Sequence, residues 1–109
     1  MCVITNDAWW GNTAGYKQHF EMSRLRAIET RRYVLRAANT GISAFIDPLG
    51  NAWQKTEYET RTAITQVVYP NNETTFYTKH GDYLAKIMLG ITLLIFLSRL
   101  SRLSRVTKK

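Results

Sequence analysis

The chain has 109 residues and a formal net charge of +7, and 45% of its residues are hydrophobic. Residues 1–83 hold nine Lys/Arg against eight Asp/Glu, whereas residues 84–109 hold six Lys/Arg and no acidic residue. The positive charge therefore belongs to the tail, which argues against a nucleic-acid-binding domain, because such a domain spreads its basic residues over a folded face. The single cysteine excludes an internal disulfide and a cysteine-based metal site, and we predict no metal and no cofactor.

The first predicted strand, residues 2–5, leads into a polar turn that carries two adjacent tryptophans. The segment suits a buried strand, and we expect the Cys2 side chain to be buried. Asn6, Trp9 and Trp10 follow at the carboxyl end of this strand, where ligands often bind in open sheets flanked by helices. We predict that they form the wall or lid of a substrate pocket, with core packing as the alternative for the tryptophan pair.

An amphipathic helix is predicted over residues 21–30, and residues 16–20 lead into it. One apolar stripe recurs at spacings of three and four and comprises Ala14, Met22, Leu25, Ala27 and Ile28. His19 is a further candidate for the pocket wall. We expect it to be a hydrogen-bonding scaffold residue more than a metal ligand or general base, because no partner ligand lies four residues further on.

The next strands are predicted from apolar or alternating segments bounded by turn residues: 33–39, 42–46, 52–56 and 62–69. A continuation of the helix is the alternative for residues 33–39. The Asp-Pro-Leu-Gly-Asn turn at residues 47–51 predicts a hairpin. Residues 1–70 are therefore the strand-rich part of an α/β domain, and residues 71–82 are a polar linker.

Residues 83–100 are predicted to form one transmembrane helix. Residues 87–97 are apolar on every helical face, which is not typical of a surface helix. The extended segment has 18 residues, about the length that crosses a bilayer core. A buried or interfacial helix is the alternative. The basic tail of residues 101–109 should face the cytoplasm by the positive-inside rule, which places the strand-rich part outside.

Asn-Asp-Ala-Trp at 6–9, Gln-His-Phe at 18–20, Arg-Ala-Ile-Glu at 26–29 and further spaced motifs are found along the chain. Together they resemble the carboxyl-terminal part of apolipoprotein N-acyltransferase, a family of the nitrilase superfamily. Motifs shared with the wider superfamily are Arg-Ala-Ile-Glu at 26–29, Ala-Asn at 38–39 and Asp-Pro-Leu-Gly at 47–50. Motifs similar to the acyltransferases themselves are Asn-Asp-Ala-Trp at 6–9, Gln-His-Phe at 18–20 and the closing apolar helix. Because the chain also opens directly on a strand, we expect it to be a carboxyl-terminal fragment.

The resemblance implies a fold and a location. Residues 1–70 would be the carboxyl-terminal part of a four-layer α-β-β-α sandwich, the nitrilase-like (carbon–nitrogen hydrolase) domain. This domain would lie on the periplasmic side of a bacterial inner membrane, and the transmembrane helix would follow it.

The resemblance also implies an activity. A Cys thioester would take a fatty acyl chain from a phospholipid and pass it to the free amine of an apolipoprotein's diacylglyceryl-cysteine, assisted by a Glu base and a Lys. No position here matches the family's catalytic Glu, Lys or Cys motifs, and Cys2 lies outside the context of the nucleophile. The fragment should therefore be inactive alone. Its implied partners are the phospholipid, the apolipoprotein, the membrane and the missing amino-terminal part of the same enzyme, with no nucleic acid.

Two other interpretations stay open from the sequence. The chain could be a non-enzymatic single-span membrane protein whose extracytoplasmic sheet binds a partner through an exposed edge. It could also be part of a soluble nitrilase-like amidase in which residues 87–97 pack as core.

Overall fold

The computed structural model describes the backbone of residues 1–106 and the side chains of residues 1–101. The chain divides into two compact units, Met1–Thr78 and Lys79–Lys109. The first unit holds the four strands β1 (Cys2–Thr5), β2 (Val34–Ala38), β3 (Ala44–Ile46) and β4 (Ala52–Trp53), together with helix α1 (Ala14–Thr30). Two further helices follow, α2 (Phe76–His80) and α3 (Tyr83–Val106).

The strands form one mixed sheet in the order β1-β2-β3-β4. β1 and β2 are parallel, and β2–β3 and β3–β4 are antiparallel. Parallel neighbours require a long crossover connection, and α1 supplies it. The α/β class and the strands at both ends of α1 agree with the sequence-based predictions.

The core lies between α1 and one face of the sheet, here called the inner face. Its buried apolar side chains are Tyr16, Phe20, Ala27, Val34, Ile42, Ala44 and Ile46. The helical members are spaced by four and seven residues and so share one side of α1. Val34 and Ile46 are paired across β2 and β3 and are fully buried.

The opposite, outer face of the sheet is apolar and only partly covered, with Leu35 and Phe45 half-buried and Trp53 exposed. One cross-strand row joins Cys2 to Leu35, Phe45 and Trp53, because each residue pairs with the next across neighbouring strands. Ile4, on the same face, is 89% exposed. Cys2 is also exposed, so its predicted burial is wrong for this chain: alternate strand residues face opposite sides, and Cys2 faces away from α1.

The apolar stripe predicted for α1 does not face the sheet. Met22 is 62% exposed, Leu25 56% and Ile28 41%, whereas Ser23 is buried. The inner side of the helix carries a polar residue because a charged strand residue, described below, needs a hydrogen-bond partner there. Of the predicted stripe, Ala27 alone lies in the buried core.

The strand predicted over residues 62–69 is also absent from the sheet, and the structure shows these residues without regular secondary structure. Part of this segment, Thr62 to Ile64, instead lines an open groove of about 430 Å³ on the outer face. The Gln54 amide binds the backbone of Thr65 through bonds of 2.7 and 3.2 Å, which hold the segment beside the sheet. Side-chain contacts replace a strand ladder here.

The predicted turn at residues 47–51 is present and is organised by Asp47. Its carboxylate accepts hydrogen bonds from the backbone N–H groups of Leu49 (2.8 Å) and Asn51 (2.9 Å). Burial raises the pKa of Asp47, but these bonds and those from the Asn51 amide and the Trp53 indole outweigh it, so the pKa lies below its ordinary value. The turn thus ties β3 to β4.

The second unit is dominated by α3. Its 19 residues Tyr83–Ser101 are long and apolar enough to cross a membrane, and among residues 1–101 this is the one helix that meets that description. The helix continues to Val106, beyond the end predicted from the sequence. Residues 107–109 of the predicted basic tail lie outside the described residues.

Candidate functional site

The site predicted at the carboxyl end of β1 begins with a short 3₁₀ turn, Ala8–Trp10. The Asn6 side-chain oxygen accepts the Ala8 backbone N–H at 3.1 Å, an Asx turn that starts it. Gly11 ends it with φ +56°, a conformation that favours glycine. Asn6 therefore shapes the loop through its own side chain.

The two tryptophans have different surroundings. Trp9 is 87% exposed, and Trp10 is 44% exposed. The Trp10 ring meets the His19 ring edge to face, with 5.2 Å between ring centroids. A Cβ added at Gly15 would lie 2.6 Å from the Trp10 ring, so the glycine at the start of α1 makes room for it. Within this chain, neither tryptophan is buried as the core-packing alternative requires.

Behind this loop lies a buried charged cluster of Asp7, His19 and Arg36. Asp7 and Arg36 have fully buried side chains, and the Arg36 Nη2 donates to Asp7 Oδ2 at 2.8 Å. The His19 Nδ1 lies 2.9 Å from the other oxygen, Oδ1. Thr5 also donates its hydroxyl to Oδ1 at 3.1 Å. The carboxylate is therefore contacted from β1, α1 and β2.

The other two nitrogens of the Arg36 guanidinium also donate hydrogen bonds inside the core. Its Nε donates to the Ile42 carbonyl at 3.1 Å, and its Nη1 donates to the Ser23 hydroxyl at 2.8 Å. A buried ion pair is tolerated only when its charges are paired and its other donors and acceptors are bonded. This arrangement meets both conditions and explains the polar Ser23 on the inner side of α1.

The pKa of Asp7 reflects the same contacts. Burial raises it, but the hydrogen bond with His19 and the charge and hydrogen bond of Arg36 act in the opposite direction, helped by Thr5. The pKa of the carboxyl therefore lies below its ordinary value of 3.8. Asp7 is ionised at neutral pH and can only accept hydrogen bonds.

Gly41 makes this cluster possible. A Cβ at this position would collide with the Asp7 carboxylate, so the backbone between β2 and β3 approaches the carboxylate as only glycine allows. The Asn-Thr-Gly segment after β2 and the Asn-Asp segment after β1 thus meet at one end of the sheet, as the carboxyl ends of parallel strands do.

Of the four residues predicted for the pocket wall, the structure brings Trp10 and His19 into contact and leaves Trp9 exposed beside them. The hydrogen-bonding role expected for His19 is confirmed by its contact with Asp7. Sequence reasoning missed Asp7 and Arg36. A usable signal was present, because an arginine within the short apolar strand of β2 must be paired if it faces inward.

Comparison with known proteins places the chain in a family. The profile of the carbon–nitrogen hydrolases matches residues 1–74, which include the whole sheet, α1 and the buried cluster. The chain belongs to the carbon–nitrogen hydrolase family.

Several relatives are similar to this chain over more residues than the carbon–nitrogen hydrolase region covers. It is 38% identical over 91 residues to an apolipoprotein N-acyltransferase of Chlorobaculum tepidum, which covers 84% of this chain and 17% of that protein. An apolipoprotein N-acyltransferase 2 of Leptospira interrogans is 39% identical over 94% of this chain and 18% of its own length. A Nitrosomonas europaea apolipoprotein N-acyltransferase is 36% identical over 84% and 18%, respectively. The chain thus spans under a fifth of the relatives it matches.

Proposed function

We propose that this chain forms part of an apolipoprotein N-acyltransferase. Such an enzyme moves a fatty acyl chain from a phospholipid to the amine of an apolipoprotein's diacylglyceryl-cysteine through a Cys thioester. The catalytic Glu, Lys and Cys of the reaction would lie in the part of the enzyme upstream of this chain.

One observation carries the proposal. The similarity to the Leptospira interrogans protein covers 94% of the chain, whereas the carbon–nitrogen hydrolase profile ends at residue 74. The similarity must therefore include most of the apolar helix α3. A carbon–nitrogen hydrolase region joined to such a helix is the combination that those acyltransferase relatives share with this chain, and it favours them over a soluble amidase.

The outer face of the sheet supports an assembly with an upstream part. Ile4 and Trp53 are exposed on this face, and an apolar patch of this kind usually marks an interaction surface. In the proposed enzyme, a second sheet packs on the row of Cys2, Leu35 and Phe45, which completes the α-β-β-α sandwich. This chain then contributes one sheet and its covering helix.

The aromatic loop is the proposed contribution to the pocket. Trp9 and Trp10 are exposed at the end of the sheet where strand carboxyl ends meet, and indole rings suit the boundary between acyl chains and headgroups. Asn6 and His19 hold this loop in place. Replacement of both tryptophans by alanine should reduce phospholipid use more than it reduces stability.

The proposed location follows from α3 and the charges after it. The helix crosses the inner membrane, the basic residues after Leu100 lie in the cytoplasm, and the sheet lies in the periplasm. The residues up to about 70 then form the domain part, 71–82 the linker and 83–100 the span.

A chimera tests the proposed function. This chain replaces the matching segment of the Chlorobaculum tepidum enzyme, and the purified membrane protein receives phospholipid vesicles and a diacylglyceryl-cysteine peptide with a free amine. We expect mass spectrometry to show the N-acylated peptide, whereas the same enzyme truncated before the segment should give none. A folded, membrane-inserted chimera that forms no thioester and no product would contradict the proposal and favour the non-enzymatic interpretation.

A further inference from the structure

The orientation of His19 is determined by the buried charges behind it. Asp7 is a carboxylate and can only accept, so the 2.9 Å contact between Oδ1 and Nδ1 requires a hydrogen on Nδ1. The Arg36 Nη2 lies 3.2 Å from the same Nδ1 atom and could donate to it only if Nδ1 were bare, that is, if it carried no hydrogen. A bare Nδ1 would set its lone pair against the carboxylate oxygen, which disfavours that arrangement.

The neutral ring then carries no hydrogen on Nε2. This atom lies on the side of the imidazole away from Asp7, and no hydrogen-bond partner for it is found in the part of the chain with described side chains. The His19 side chain is 31% exposed, and the Trp10 ring lies beside it. An accessible acceptor nitrogen is thus positioned next to an indole that is itself partly exposed.

We propose that His19 Nε2, oriented by Asp7 and flanked by Trp10, is the hydrogen-bond acceptor of a binding site for a primary amine. The inference rests on the proposed function, in which the amine is that of the diacylglyceryl-cysteine acceptor. Asp7 is a positioning residue that acts through His19.

The chemistry of the site favours an amine over an anion. A lone pair on neutral Nε2 accepts an N–H but repels a phosphate or carboxylate oxygen. Indole faces attract ammonium groups. The charges of Asp7 and Arg36 cancel each other in their buried pair, so no net positive charge behind the ring repels a cationic ligand.

The first test measures the tautomer directly. The 109-residue chain, labelled with ¹⁵N-histidine in detergent micelles at alkaline pH, should show His19 with a protonated Nδ1 and a bare Nε2. His80, the other histidine, is assigned by His80→Gln. Asp7→Asn should reverse the His19 tautomer, because the amide oxygen turns to Arg36 and its NH₂ group turns to Nδ1. A bare Nδ1 in the unmodified chain would overturn the proposal.

The second test measures the ligand. A diacylglyceryl-cysteine peptide with a free amine should shift the His19 Nε2 and Trp10 indole signals, and the N-acetylated peptide should not. His19→Asn retains a donor for Asp7 but lacks the outer acceptor, so it should abolish the amine-specific shift. His19→Gln places an amide oxygen near the Nε2 position and should restore part of it. Equal shifts with both peptides would refute an amine site.

The chimera separates failure of this site from failure of the proposed function. In His19→Asn, transfer from the thioester to the amine should fall about tenfold relative to thioester formation, as loss of one substrate hydrogen bond predicts. His80→Gln should leave the ratio unchanged. A His19→Asn chimera with an unchanged ratio of amine transfer to thioester formation would refute the amine site. Absence of a thioester in the unmutated chimera would refute the proposed function, and the peptide titration would then decide the amine site.

Discussion

Arg36 on β2 is hydrogen-bonded to three other parts of the first unit. Its guanidinium bonds to the Asp7 carboxylate, the Ser23 hydroxyl and the Ile42 carbonyl, which belong to the β1 loop, α1 and the segment before β3. Each of these groups is buried and loses one hydrogen bond if the guanidinium is removed, and Asp7 also loses its cationic partner. The cost of that loss far exceeds the net value of the bonds, because an unpaired buried charge remains.

Replacement of Arg36 by methionine tests this role. We expect Arg36→Met to lower the free energy of unfolding by about 3–5 kcal/mol, because Asp7 is left as a buried unpaired carboxylate. Arg26→Met is the matched control, since the Arg26 side chain is 60% exposed and pairs with Glu29 at the surface, and it should cost less than about 1 kcal/mol. Urea unfolding followed by tryptophan fluorescence measures both.

The double variant identifies the cause. Asp7→Asn combined with Arg36→Met removes both buried charges, so it should be more stable than Arg36→Met alone. If the double variant's loss of stability relative to the unmodified chain equalled the sum of the two single losses, the two residues would act independently and the charge-pair explanation would be wrong.

Helix α1 shows why element types were easier to predict than element faces. Its hydrophobic residues lie on more than one side, and the buried side includes Ser23, which a hydrophobicity pattern counts as a surface residue. The need for Ser23 arises from Arg36, 13 residues later in the chain and on another element. A long-range hydrogen bond of this kind leaves no local periodicity, so the sequence predicts the helix but not its inward side.

The candidate site likewise has a part that the sequence predicts and a part that it does not. The loop position of Asn6 and the tryptophans follows from local turn chemistry and was predictable. The contact of Asp7 with His19 and Arg36 joins residues 12 and 29 positions apart and needed the fold. The missing strand at residues 62–69 has a related cause, since β-branched residues favour a strand but cannot supply a neighbour to pair with.

The β3–β4 hairpin gives a prediction for one element. Gly50 has φ +85°, and a Cβ there would lie 2.8 Å from the Ile28 side chain on α1. Gly50→Ala should therefore lose stability through both backbone strain and the contact, by about 2–3 kcal/mol. Gly50→Ala in an Ile28→Ala chain is the control, because that truncation removes the two Ile28 atoms nearest the added Cβ and leaves strain alone, which should cost about 1 kcal/mol. Equal losses in thermal unfolding would show that the α1 contact does not matter.

At the scale of the whole molecule, the proposed assembly differs from the isolated chain on the outer face of the sheet. Cys2 lies there, exposed, and it is the one cysteine of the sequence. A second sheet packed on this face would cover Cys2, and the proposed topology would place it in the periplasm. The reactivity of this one thiol therefore tests both the packing of a second sheet on the outer face and the orientation of the chain in the membrane.

A membrane-impermeant maleimide makes this a prediction. In the isolated chain, Cys2 should be labelled in right-side-out membrane vesicles and protected in sealed inverted vesicles. The control is a Cys2→Ser chain with Lys108→Cys. It should show the opposite pattern, because the basic tail would face the cytoplasm. In the chimera, mass spectrometry of the Cys2 peptide should show labelling reduced several-fold in right-side-out vesicles, because the upstream sheet excludes the reagent. Release of the isolated chain from membranes by carbonate would contradict a spanning α3. Undiminished labelling in an active chimera would show instead that the outer face stays open in the assembled enzyme and that its apolar row binds something other than a second sheet.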